Sequence, residues 1–556
     1  MNVFSLAFRM RKRYNVNSCY IGGITQDMKW LQTMLVASAA LSASALEMDI
    51  SIGRQLFVDD YLVESTTNVV RYWNRPVKVD APVIWHGLPG AVPSKLSDAR
   101  KILGPEDSAV NTTAATDGGL WWDPTRKKFR LWYMADFYGD ICYAESDDCE
   151  KWTFPDLGIV PGTNRLFEHN SFDSWNVMPN YAAKNPYADW KMYKSESGCW
   201  TEDSLWESPD GLHFKNLGVV GRSRDRSTMY FDPFRGVWVF SLRDLPKGVG
   251  RCRRYFEMRE FRGDKRLWSW PGDKTEPEEF KGLPQPELWI VVKKNKKRSQ
   301  QLYNFSAVAY ESLLLGVMEV LYSMPGDNTP CEKAGLPKQT ALHFSFSRDG
   351  KAYTPPREDA DIPPEGWGSG KWDTGFLSPI GGICVIRDER LWFYYSGFRG
   401  DGERLLKSHA SGARNGMYSN GSIGVATLRR DGFAGMVADA TGEILTKPVV
   451  FSGKRLFVNA ECRFGSVAAE IVGEDGKAIR GFSFKDCKAF AKADSTKTEL
   501  RFKGGDLSSL AGKPVRFRFR IHCGTLYSFW VSPSARGESR GYVAGGGPAY
   551  SGLRDL

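Results

Sequence analysis

One unit recurs along this chain, and that recurrence limits the fold more than any other feature. Each copy has an apolar strand ending in Asp-Pro or a near relative, a short polar turn and an aromatic-rich strand. A third strand follows, then a polar turn of the form Ser-x-Asp-Gly-x-x-aromatic. The first copy holds Leu120–Pro124, Phe129–Tyr133 and a turn ending at Trp152. The second holds Asn176–Asn180, Trp190–Tyr193 and Ser208–Phe214. The third holds Met229–Pro233, Val237–Phe240 and a degenerate turn near Asp264 with Trp268. The fourth holds Ala307–Glu311, Leu315–Met318 and Ser347–Tyr353, and the fifth Ile383–Ile386, Leu391–Tyr395 and Arg430–Phe433. Copies stand about 50 to 80 residues apart, a period that suits four-stranded blades with loop insertions. Asp-Pro and Asp-Gly favour the backbone angles of the connecting turns. Short alternating runs of aromatic and β-branched residues dominate after residue 50, and helical periodicity is almost absent. The expectation is an all-β chain with a five-bladed β-propeller over residues 46–445. Leu56–Leu62 supplies early strands that help close the ring.

After residue 446 the texture changes. The stretch from Gly453 to Phe484 reads as strand, turn, strand, turn, strand, and Val515–Ile521 alternates charged with apolar residues, as a half-buried antiparallel strand does. A C-terminal β-sandwich over 446–556 is expected, with an irregular Gly-rich end from Gly541.

Residues 28–45 carry one Lys, an apolar run of about ten residues and Ala43-Ser44-Ala45 before a cleavage point. This is a secretory signal peptide within a leader of residues 1–45, and it places the protein outside the cell or in the periplasm. The apolar run is short for a bilayer span, and no later segment reads as one. Net charge is +10, of which the leader contributes +4. The only later basic cluster, Lys293–Arg298, has no aromatic platform beside it, so no nucleic-acid partner is expected. Nine Cys follow the leader with irregular spacing and no zinc pattern. One or two disulfides, for example Cys142 with Cys149, suit an exported protein. The chain holds 19 Trp; strand packing absorbs most, and a handful are left for a sugar ring.

A ring of such blades followed by a sandwich resembles the clan of glycoside hydrolase families 32, 43 and 68. The phrases LFVDDYLVE, LYNFSAVAYESLLLG, LWFYYSG, GVATLRRDGF and LYSFWVS are similar to a family-32-like group of exported bacterial proteins, over roughly residues 50–535. The resemblance implies carboxylates in a central funnel: an Asp from each of the first two blades and an acid Glu from the third. Asp117, in Asp117-Gly118-Gly119-Leu120-Trp121, matches the first position as nucleophile or base, with Gly118 replacing the clan's Pro. Asp173 stands at a similar offset in the second blade, with Trp175 and Asn176 as ligand contacts. Asp225 occupies the third mouth, where the clan's Glu is not visible. The remaining Glu candidates are Glu257, Glu260, Glu311 and Glu319. Glu311 is singled out from Ala309-Tyr310-Glu311, although the repeat aligns it with the turn residue Asp123, at the far end of the strand. Arg226 and Arg243 can hold a ligand carboxylate or hydroxyl, since Arg offers a rigid donor fork. Asp123, Asp210, Asp232 and Asp349 read as turn residues.

The resemblance implies a glycoside hydrolase acting on a poly- or oligosaccharide, including a furanosidic one. The alternatives are a non-catalytic carbohydrate-binding propeller and a sialidase-like enzyme. No nucleotide-binding, metalloprotease or serine-hydrolase motif is present. No cofactor or metal ligand set is specified; the clan's structural calcium has no signature here.

Overall fold

The computed structural model describes residues 48–93, 112–135, 139–168, 172–196, 199–292, 299–323, 336–402 and 418–556. The chain is all-β. Among the described residues, helix is limited to single turns such as Pro186–Ala188, Glu278–Phe280 and Ser508–Leu510.

Five antiparallel meanders follow one another. The first has strands Thr113–Asp123, Lys128–Ala135 and Asp140–Ser146. The second has Phe172–Pro179, Trp190–Glu196, Cys199–Ser208 and Lys215–Arg224. The third has Thr228–Asp232, Val237–Asp244, Cys252–Met258 and Glu287–Leu288. The fourth has Ser299–Glu311, Leu313–Ser323 and Thr340–Ser347. The fifth has Leu377–Arg387, Arg390–Phe398 and Gly421–Arg429. The leading strand of each meander neighbours that of the next, and the fifth returns to the first. This closed ring of meanders is the arrangement of a β-propeller.

At the first strand the ring is tight enough for parallel backbone pairing on both sides. Trp175 pairs Asp117, and Ile380 pairs the same Asp117. A strand so flanked is buried on both faces, which is why Thr113–Asp123 is buried throughout.

The turns bear out the repeat chemistry. Ser208 Oγ and Asp210 Oδ1 accept the backbone N–H groups of Gly211 and Leu212 at 2.9 Å each. Ser347 and Asp349 do the same for Gly350 at 3.0 Å and Lys351 at 2.9 Å. In the first meander Ser146 and Asp148 hold Cys149 and Glu150 at 2.9 Å each. Gly211 and Gly350 have φ of 74° and 77°, and Cys149 takes the same left-handed conformation at 65°. Asp123 and Asp232 likewise accept N–H groups two residues on, at 3.0 Å each.

The N-terminal segment completes the fifth meander. Lys78 pairs Ala426 and Ile84 pairs Ile423, so early residues form its outermost edge. Residues 55–73 belong to the second sheet instead. There Arg455–Val472 lies between Phe490–Phe502 and Arg516–Ser532, which in turn pairs Ala434–Thr446. Val63–Thr67 and Val70–Trp73 pair that last strand. Phe517, Phe519 and Ile521 are buried while the Arg residues between them reach outward, as the alternation implies.

The Gly-rich C-terminal segment, expected to be irregular, is an ordered closure of the ring. Val543 pairs Tyr310. Ala544 donates to Ala309 O at 3.1 Å and Gly545 to Cys384 O at 2.8 Å, while Trp122 donates to Gly545 O and Ile386 to Gly546 O at 2.7 Å each. Tyr542 meets Phe234 edge-on, and the Tyr181 hydroxyl reaches Ala544 O at 3.5 Å. The segment thus touches the far end of all five leading strands or the turns that follow them. Glycine is required for this fit: a Cβ on Gly547 would stand 1.9 Å from Ile386 O.

Cys149 is a buried free thiol within the turn that follows Asp140–Ser146, so the suggested pairing with Cys142 is corrected. The leader and Lys293–Arg298 lie outside the described residues.

A buried carboxylate pair at the ring centre

Asp117 sits in a break of the pairing between the first two strands of its meander, where the register shifts between Ala114 and Gly119. Such bulges re-aim side chains. Its φ is 69°, a conformation an Asp adopts only at a cost. Gly118 follows because a Cβ there would lie 2.3 Å from Trp132 O. The bulge turns the Asp117 carboxylate toward the opposite side of the ring. Asn304 Nδ2, on the leading strand of the fourth meander, donates to Asp117 Oδ1 at 2.6 Å. Asp117 Oδ2 receives no hydrogen bond.

Glu319 lies directly across from Asn304 in the strand pairing. It is fully buried. Its Oε2 accepts Ser378 Oγ at 3.1 Å, while Oε1 has no hydrogen-bond partner.

Arg226 links the two carboxylates. Its Nη2 stands 3.8 Å from Asp117 Oδ2, 3.5 Å from Glu319 Oε2 and 2.6 Å from Ser378 Oγ. The two carboxylate oxygens are therefore at most about 7 Å apart. Arg226, with φ of 62°, occupies the short link between the second and third meanders. Side chains from the first, fourth and fifth meanders and this link thus converge on one guanidinium.

Burial sets the protonation of the pair. It pushes Asp117 up against the opposing pull of Arg226, Arg253 and the Asn304 hydrogen bond. It pushes Glu319 up to about 7, with Asp117 adding to the rise and Arg226 opposing it. Arg253 is driven down to about 9 by burial; it donates to Arg226 O at 2.6 Å and Tyr303 O at 3.1 Å. Beside them Lys338 is buried in a box of Tyr303, Phe376 and Tyr418 rings, its ammonium 4.2 to 5.0 Å from their centres. It donates to the Tyr303 and Tyr418 hydroxyls at 2.8 and 2.6 Å. Lys338 and Arg226 outweigh burial at Tyr303 and bring its phenol down to about 8.

The sequence-derived candidates divide. Asp117 and Arg226 are at this centre, though Arg226 binds protein carboxylates rather than standing ready for a ligand alone. Asp173 falls in the strand Phe172–Pro179, and its side chain lies outside the described residues. Asp225 is tied to Arg243 in a close ion pair, so both are committed to each other. Asn176 is spent on the backbone of Met229, donating to its O at 2.6 Å and accepting its N–H at 3.1 Å. Trp175 is fully buried in the core. Glu311 is seven residues further along the strand that carries Asn304, roughly 20 Å away. There it accepts Arg430 at 2.8 Å, the Arg54 N–H at 3.0 Å and Ser539 at 2.7 Å, inside an ion cluster with Asp431. Of the other two Glu candidates, Glu257 is bound by Arg235 and Tyr255, and Glu260 is an exposed partner of Arg262. Asn304, Ser378 and Lys338 were not among the candidates. Glu319 is among the sequence's Glu candidates without being singled out; it is the one charge inside Leu313–Tyr322, and a Glu in such a run is buried only with partners.

No family model and no curated protein matches the chain. Solved structures similar to it include glycoside hydrolases. One comes from work on a mannoside phosphorylase family containing glycoside hydrolases that target β-1,2 mannosidic linkages (10% identity, 65% of this chain, 96% of that one, TM-score 0.38). Another is a glycosyl hydrolase from Bacteroides ovatus (10% identity, 64% and 94%, TM-score 0.38). A third is a fructofuranosidase from Schwanniomyces occidentalis complexed with fructosylnystose (9% identity, 82% and 98%, TM-score 0.34).

Proposed function

We propose that this protein is a glycoside hydrolase, with the five meanders as five propeller blades and Asp117 and Glu319 as the reacting pair. The observation that carries the reading is the convergence of two buried carboxylates on one Arg226 nitrogen, each with one oxygen that no hydrogen bond occupies. Glycosidic cleavage needs one carboxyl that can donate a proton and one that stays ionised. Glu319, held near 7, carries a proton at mildly acidic pH and gives it to the leaving glycosidic oxygen as the C–O bond breaks. Asp117, which faces Arg226 and accepts Asn304 Nδ2 at 2.6 Å, takes the proton of the water whose oxygen joins the anomeric carbon, or attacks that carbon first. The bound of about 7 Å admits both the spacing of about 5 Å used for retention and the short end of the range used for inversion.

A carbohydrate-binding ring without catalysis is the second reading, and Arg226 favours it: its guanidinium stands between the two carboxylates and engages both. Turnover separates the two. Reducing-sugar release should be measured on a panel of neutral and acidic polysaccharides and aryl glycosides. Hydrolysis by the wild type, with Glu319→Gln and Asp117→Asn each at least about a hundredfold slower, supports catalysis. Wild-type turnover in Glu319→Gln refutes it. The leader supports export to the periplasm or medium, where polysaccharide is met.

A further inference from the structure

We infer that the sugar accepted at this centre is an acidic one, carrying a carboxylate or a sulfate ester, and that Lys338 receives its charge. The inference rests on the carbohydrate reading above and names the substrate class. Its basis is a local mismatch of charge and hydrogen bonding. The two carboxylates, Asp117 and Glu319, already share Arg226. Further cations are buried around them, Arg253 and Lys338 among them. Arg253 spends its hydrogen bonds on the backbone oxygens of Arg226 and Tyr303 and on Asn304 Oδ1. Lys338 spends two of its three N–H donors on phenol oxygens. Among the described residues neither cation faces a carboxylate within ion-pair distance. A buried ammonium ordinarily has such a partner. The aromatic box surrounds the Lys338 ammonium with ring faces and offers it no carboxylate, while burial lowers its pKa from the ordinary lysine value. An oxyanion on a sugar would supply the missing acceptor for the third Lys338 N–H, and its ring would lie beside the aromatic faces. A neutral sugar would leave the surplus charge buried and unmet.

The test is ligand-observed NMR on the intact protein at pH 6 with three probes: methyl glucuronide, its 6-methyl ester and glucose 6-sulfate. The first two differ in charge and by one methyl group. The inference expects an anionic probe to bind at least about tenfold more tightly than the ester, the worth of one charge-assisted hydrogen bond. Preference for the glucuronide identifies a carboxylate and preference for the sulfate a sulfate ester. In Lys338→Met, checked for folding by its thermal transition, the ratio of acid to ester should fall toward one. An ester that binds as well as the acids overturns the inference and leaves the carbohydrate reading standing. No binding by any probe overturns both. An unchanged ratio in folded Lys338→Met removes Lys338 from the role.

Discussion

Replacing Glu319 with Gln should make the protein more stable as pH rises. Glu319 is fully buried, and its pKa goes from 4.5 to about 7 on folding. A carboxyl whose folded pKa is raised favours the native state only while it is protonated. Its contribution is complete below about 4.5 and is lost as pH climbs through about 7. The rise corresponds to about 3 kcal/mol carried against the fold when Glu319 is ionised. Gln keeps the shape and does not titrate, so the stability of Glu319→Gln relative to wild type should increase by about that amount between pH 4.5 and 8. With an unfolding entropy of roughly 2 cal/mol/K per residue over about 500 residues, the difference in Tm should grow by about 3 °C across that window. Differential scanning calorimetry of both proteins at closely spaced pH values measures it. A Tm difference that is flat with pH, or that shrinks as pH rises, refutes the assignment of a raised pKa to Glu319.

Glu311→Gln weakens the contacts with Arg54 and Arg430, both fully buried, and should destabilise by about 3–5 kcal/mol in urea titration. A change below about 1 kcal/mol would deny that cluster its structural role. Gly547→Ala presses a Cβ against Ile386 O and should lower stability by about 1–3 kcal/mol; a neutral result would mean that the C-terminal closure yields easily. Tyr303 should ionise near 8, visible as an absorbance step at 295 nm that Tyr303→Phe removes and Lys338→Met moves upward. Persistence of that step in Tyr303→Phe would assign it to another phenol.

Much of the ring was legible in the sequence. Turn residues act within four positions of the chain, so Ser-x-Asp-Gly and Asp-Pro mark blade ends wherever they occur, and Asp123, Asp210, Asp232 and Asp349 hold the turns expected of them. The end-to-end alignment of the repeat also fixes where Glu311 lies: at the turn end of its strand, as Asp123 is in the first. The site was legible only in part, because it is made across the ring. Asp117 was found from its local glycine pattern. Its partner Asn304 stands 187 residues later, and no local pattern says that Asn304 faces it or that Ser378 faces Glu319. Period-two alternation identifies neither, since leading strands are buried on both faces. Lys338 gave no signal at all, because a lone Lys after a Pro reads as surface. The C-terminal glycines read as irregular for a similar reason: what they accommodate is the carbonyl oxygens of distant strands.

The most direct test of the central claim is the pH dependence of kcat/KM for sugar release from whichever polysaccharide the wild type cleaves. If Glu319 is the proton donor, activity should fall above an apparent pKa near 7. Activity that stays level to pH 9 would contradict it and take proton donation away from Glu319.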